Sequence, residues 1–345
     1  MLIKKTVIFL LFLLYINYNY ANIDLKFRYI IEYDSNIFSL SDYDYNSFKK
    51  GRSFQYIDTT DDLKQKFEVR LNKRTNINDI VFSPYASFSF INFMNNTNKN
   101  SWNLLIGANN QWDQFTLNGV YGYYPENYLR KYIDTDGTLA NEKFSYQKML
   151  WRVSSSYRHN NYVIPLFYGK YEYYHYNEYF TEYDGPAWTF GLGWRLLMKT
   201  INTDMMYYYR TYNPTSNQES IQNIISNIKD GSYESNIYEL KIRTKKFYST
   251  LLDYRIFTNL KLEDRYYQSR IPLPIDPYHT NRNDKITTIN FGSDLWLAKD
   301  FNIKIDYVYR VRNCSSDNPS VKRDKDYDKY QISTMLEYNF NIFKK

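Results

Sequence analysis

Residues 301–312 read FNIKIDYVYRVR. Phe301, Ile303, Ile305, Tyr307, Tyr309 and Val311 take the odd positions, and Asn302, Lys304, Asp306, Val308, Arg310 and Arg312 the even ones. Side chains alternate across a β-strand, so this segment has one apolar face and one that is polar or charged everywhere but at Val308. A strand on a soluble sandwich would read this way. So would a strand with lipid on one side and a wet lumen on the other. The segment fixes the strand, and the rest of the chain must say which solvent its apolar face meets.

The same period of two recurs along the chain and predicts fourteen strands, near 25–34, 62–73, 80–92, 102–110, 113–123, 145–157, 162–174, 186–198, 203–212, 236–244, 248–260, 285–297, 301–312 and 328–342. PAWTFGLGWRLLM at 186–198 is the clearest apolar band. Trp188, Phe190, Leu192, Trp194 and Leu196 share one face, with Arg195, Gly191 and Gly193 on the other. Composition agrees with an all-β chain: 40 Tyr, 22 Phe and 6 Trp make 20% of it aromatic, while Gly and Pro number only 11 and 9.

The connections discriminate more sharply than the strands. Long polar stretches such as SNIFSLSDYDYNSFKKGRSFQYIDTTD alternate throughout with brief turns such as KRTNIND and KTIN. A sandwich or propeller gives no physical reason for that alternation. A transmembrane barrel does, with short turns on the periplasmic side and long loops outside. Each predicted strand also reaches the roughly 9–11 residues that a tilted strand needs to cross a bilayer. The expected fold is therefore all-β: a closed antiparallel up-and-down transmembrane β-barrel of about 14 strands, in one domain over 22–345. The long loop at 216–230 has helical spacing, with a solvated loop as its default reading.

The N-terminus supports export. Lys4 and Lys5 precede an apolar run from Thr6 to Tyr15, and a polar stretch ends at the small residue Ala21. The run is too short to span a bilayer, so residues 1–21 read as a signal peptide. Its removal takes two lysines from a net charge of +7 and leaves +5. A mean hydropathy of −0.65 does not argue against a membrane, since barrel strands are short and half polar. Cys314 is the one cysteine, so no intrachain disulfide exists, and it reads as a loop thiol.

On the barrel reading, Trp188, Trp194, Tyr307, Tyr309, Tyr338 and Phe340 face lipid or its interfaces, where amphipathic rings sit well. The polar faces supply candidate pore-lining residues: Lys26, Arg28, Lys64, Lys66, Arg70, Arg195, Arg210, Lys241, Arg243, Arg255, Lys304, Asp306, Arg310 and Arg312. Glu32, Glu68, Glu239, Asp253 and Glu337 share that lumen.

The last strand, YQISTMLEYNFNIF at 330–343, alternates Tyr330, Ile332, Thr334, Leu336, Tyr338, Phe340 and Ile342. It resembles the final strand of bacterial outer-membrane β-barrel proteins, although Lys344 and Lys345 follow Phe343. The resemblance also covers the signal and the hairpin layout, and it is to that porin-like class rather than to a subfamily. It implies recognition of this strand by the barrel assembly machinery and a place in the outer membrane of a Gram-negative-type bacterium.

No GxSxG, HExxH, Walker loop, Rossmann fingerprint or Cys/His metal cluster is present. His159, His175 and His279 fall in or beside connections, with Asp184 and Asp276 near the latter two; solvated loop histidines are the ordinary reading. No enzyme, cofactor, metal or nucleic-acid partner is expected. Three functional readings stay open: a channel for passive diffusion of small polar or anionic solutes, a non-conducting surface scaffold whose long loops bind a ligand, and a secreted soluble β-protein.

Overall fold

The computed structural model describes residues 22–54, 56–134, 138–214, 230–250 and 252–341. The signal segment 1–21, residues 216–229 of the proposed loop helix and the final 342–345 lie outside them.

Fourteen antiparallel strands close into a barrel in chain order: β1 (Asn22–Asp34), β2 (Asp62–Ile77), β3 (Ile80–Phe93), β4 (Ser101–Trp112), β5 (Phe115–Ile133), β6 (Asn141–Tyr157), β7 (Val163–Tyr176), β8 (Gly185–Leu197), β9 (Ile201–Tyr212), β10 (Tyr233–Thr244), β11 (Asp253–Tyr267), β12 (Asn283–Ala298), β13 (Phe301–Ser315) and β14 (Tyr327–Asn341). The sheet closes where β1 pairs with β14, Tyr29 opposite Leu336. Closure leaves no sheet edge, so every strand finds backbone partners on both sides.

Two strands depart from the periodicity. β5 runs ten residues past the expected end at 123, because register shifts at Tyr124/Asn127 and Tyr128/Arg130 break its alternation without ending its pairing. β11 begins at Asp253 rather than 248 and continues to Tyr267. Cys314 is a correction: it lies inside β13 and is buried, with its backbone N–H donating to Asp326.

Long and short connections fall at opposite ends of the barrel. At one end β2–β3 and β4–β5 turn through Asn78-Asp79 and Asp113-Gln114, whose first residues take φ of 52° and 46°. Asn and Asp tolerate that left-handed region better than other side chains. At the other end stand the long loops L1 (35–61), L2 (94–100), L3 (134–140), L4 (177–184), L5 (213–232), L6 (268–282) and L7 (316–326).

L1 has a small core of its own. Ile37, Phe38, Leu40 and Ile57 pack with Tyr128 of β5. Its helix α1 (Asp42–Lys49) is capped by the Ser41 hydroxyl, which accepts from the Asp44 N–H, and carries Asp42 and Asp44 in the first turn. The loops also meet across the mouth. Asp44 pairs with Arg130 of β5 at 3.4 Å. Lys325, in helix α2 (Pro319–Lys325) of L7, stands 5.7 Å from the Tyr132 ring of β5, five strands away round the barrel. The Tyr278 hydroxyl of L6 donates to Asp324 of L7, and the Asp230 N–H of L5 to Asp276 of L6. The long-loop end is thus roofed.

Candidate functional site

Two surfaces follow from the alternation, and each meets a different medium. Phe67, Phe88, Phe90, Phe167, Leu192, Phe291 and Ile305 are among the large apolar side chains exposed on the outside of the barrel. Of the six residues assigned to lipid, Trp188, Trp194, Tyr307, Tyr338 and Phe340 are exposed in that belt. Tyr309 is half-buried on the same face, its hydroxyl donating to Asp328. Trp188 and Phe190 lie nearly parallel at 6.1 Å. A continuous apolar belt around a closed barrel suits the hydrocarbon of a bilayer and not water. Trp296 is the exception among the tryptophans, turning inward under Lys246 and Arg255.

The inner face is charged from one end to the other. Along β1, β2 and β14, Glu337 accepts from Lys26 at 3.0 Å and from Arg28 at 2.6 Å, and Arg28 also reaches Glu68 at 2.8 Å. Lys66 pairs with Glu68, and Lys64 with Glu32. Farther round, Arg195 and Arg243 clasp Asp204 from either side, Lys241 meets Glu239, and Arg255 meets Asp294. Arg312 pairs with Asp284, and Lys304 stands 3.6 Å from Asp306. The pattern has a simple origin. Charges at i and i±2 on one strand share a face, and register brings the opposite sign alongside on the next.

Glu172 is the most crowded acid. Lys170 of its own strand, Lys148 of β6 and Arg210 of β9 all reach it, at 2.8, 3.4 and 3.1 Å. Arg210 does so from two strands away. β8, which lies between, turns Ala187, Thr189, Gly191 and Gly193 inward, and these small side chains leave room over its backbone. The Tyr168 and Tyr208 rings meet across the same gap at 5.2 Å. An added Cβ on Gly191 would stand 2.4 Å from the Tyr208 ring.

Three lumenal arginines have no carboxylate partner among the described residues. Arg70 donates to Asn72 and lies over the Tyr85 ring at 3.8 Å. Arg310 has a buried Nε without a hydrogen-bond partner. Arg152 faces inward beside Lys170 in register and makes no ion pair. The paired cations outnumber the acids they meet, three to one at Glu172 and two to one at Asp204, and these three arginines add to that excess, so the wall is electropositive.

Sequence reasoning passed over Lys148, Arg152, Lys170, Lys261, Arg265 and Lys329, which stand on the same inward face, and the acids Glu172, Glu263, Asp284 and Asp294. Parity within each strand was the signal that could have found them. It also passed over a circuit of rings at the roofed end. Tyr146, Tyr174, Tyr212, Tyr233 and Tyr267 follow one another at 5.2, 5.7, 5.4 and 5.8 Å. His279 of L6, Tyr183 of L4 and Tyr176 close it at 5.6, 6.3, 5.7 and 5.3 Å. It fixes L4 and L6 to the barrel wall.

The histidines stand beside the acids near them in sequence. His175 Nδ1 is 4.0 Å from Asp184, and His279 Nδ1 is 2.8 Å from Asp276. Burial would raise the Asp276 carboxyl, but His279, the Asp230 N–H and the Ser269 hydroxyl together hold it below the usual range. Among the described residues no cluster of three metal-ligating side chains occurs.

No protein-family model and no curated protein sequence matches the chain. Solved structures that it is similar to include a bacterial polysaccharide outer membrane secretin, 7% identical over 92% of this chain and 98% of that one, TM-score 0.47. Others are the trimer form of OmpT, an outer membrane protein of Vibrio cholerae, 7% identical over 93% and 100%, TM-score 0.47, and an anion-selective porin from Comamonas acidovorans, 8% identical over 93% and 99%, TM-score 0.45.

Proposed function

We propose that this barrel of the bacterial outer membrane is a channel for passive diffusion of small polar solutes, with a preference for anions. The observation that carries the reading is the set of lumenal arginines without acid partners, Arg70, Arg152 and Arg310. A wall whose other charges are paired presents these to a passing ion. Low-dielectric walls focus the field, so a few uncompensated charges bias permeation. Lipid is the partner of the outer belt, residues 1–21 direct export, and β14 is the strand that the assembly machinery receives.

The test is planar-bilayer recording under a salt gradient. Stepwise currents with a reversal potential on the chloride side support the channel. A cation-selective barrel overturns the anion preference. A second reading draws on the loops that meet over the mouth through Lys325 and Tyr132. They would suit a surface scaffold that binds a ligand, and an electrically silent barrel favours it. A chain that neither fractionates with outer membranes nor shows heat-modifiable migration in gels sinks both.

A further inference from the structure

Four successive strands bring hydrogen-bond donors into one row of the lumenal wall. Register sets Arg152 of β6 beside Lys170 of β7, Lys170 beside Thr189 of β8, and Thr189 beside Arg210 of β9. All four lie on the inward face, and neighbours in such a row stand about 5 Å apart at Cβ. Thr189 is the short member, set between the long side chains of Lys170 and Arg210.

The acids do not balance this row. Lys170 and Arg210 share Glu172 with Lys148, and Arg152 has no acid, so four cations stand against one carboxylate. The next acids round the wall are committed elsewhere: Glu263 takes Arg265 at 2.6 Å, and Glu239 takes Lys241 at 2.9 Å. Two donors of the row are also idle. The Thr189 hydroxyl and the Arg210 Nε are buried and have no hydrogen-bond partner among the described residues. Leaving a buried donor unpaired costs free energy, and like charges side by side repel. An anion with several oxygens and more than one charge answers both, because it accepts from neighbouring donors at once.

We infer that the row is a binding subsite for tetrahedral dianions such as sulfate and hydrogen phosphate, held by Arg152, Lys170 and Arg210 over Thr189. The inference rests on the channel reading of the lumen and deepens it. The barrel would then discriminate among anions by charge and by oxygen geometry.

Single-channel recording in chloride tests it, with sulfate and perchlorate added separately at one concentration. Both are tetrahedral, and they differ by one charge. Sulfate interrupts the current of the wild-type barrel for longer than perchlorate. Arg152→Gln strands no acid and shortens the sulfate block about tenfold, the value of one hydrogen bond to a charged group. Lys66→Gln removes an equal charge from β2, where Glu68 keeps Arg28, and leaves the sulfate block as it was. Equal blocking by the two anions in a conducting wild-type barrel overturns the subsite and leaves the channel standing. So does an Arg152→Gln barrel that conducts and blocks like wild type. Equal shortening by both substitutions also overturns it, since the delay would then come from the diffuse field of the whole lumen. A silent wild-type barrel removes the channel reading and the subsite with it.

Discussion

The Lys99 ammonium stands 4.6 Å from the centre of the Phe38 ring. One residue belongs to L2 and the other to L1, and the same ammonium donates to the carbonyls of Tyr128 and Leu129 at the top of β5. This one side chain therefore ties two loops of the roof to the wall.

That tie is pH-dependent. Burial, followed by repulsion from Lys329, pushes the Lys99 amine down to about 7. In the unfolded chain a lysine titrates near 10.4. Between those values the folded state holds fewer protons than the unfolded one, so the roof gains stability as pH rises through that window and loses it as pH falls towards 7. Hydrogen-exchange protection at the buried Leu40, corrected for intrinsic exchange, should rise from pH 7 to 10. Lys99→Met should flatten the profile; a flat wild-type profile would refute the assignment.

Glu172 holds three cations, and its replacement by Gln frees them together. Breaking a buried pair on one side costs several kcal/mol, and a wet lumen reduces that to about 2 kcal/mol. Urea titration in lipid vesicles should read that loss. Anion preference should rise at the same time, so lower stability with unchanged selectivity would count against an electropositive wall.

The outer belt gives a depth test. Leu192→Arg places a charge among exposed apolar side chains and should cost about 2–4 kcal/mol near the bilayer midplane. Asn302→Arg, on the inward face of β13 opposite Glu337, should not pay that insertion cost. Equal losses from both would mean that the two faces do not meet different media.

Gly191 and Tyr208 should be coupled. Gly191→Ala pushes against the Tyr208 ring, whose hydroxyl donates to Glu239 at 2.9 Å, and should destabilise by about 1–3 kcal/mol. Tyr208→Ser in the same chain should recover part of that loss. Additive effects in the double mutant would show that the ring has room to move.

Strand number and the two faces were legible because they depend on period two alone, as FNIKIDYVYRVR illustrates. The length of β5 was not, since its bulges preserve pairing while scrambling the alternation at 124–130. The roof was hidden for another reason. Lys325 and Tyr132 are remote in sequence, and only barrel closure brings their loops together. In the lumen the sign of each wall position was readable, but which charges go without a partner depends on the register between strands. Arg310 and Arg312 are indistinguishable in sequence, yet only Arg312 finds an acid, in Asp284.

The salt bridge between Arg28 and Glu337 joins positions 309 residues apart at the seam where the chain's first and last strands meet. A slip of one residue at that seam would turn β14 inside out, sending Glu337 into hydrocarbon and Leu336 into water. The pair therefore works as an error-detecting code for assembly. A barrel closed in the wrong frame would lose this pair and strand its carboxylate in hydrocarbon, so the frame that keeps the charges together is the one the membrane favours.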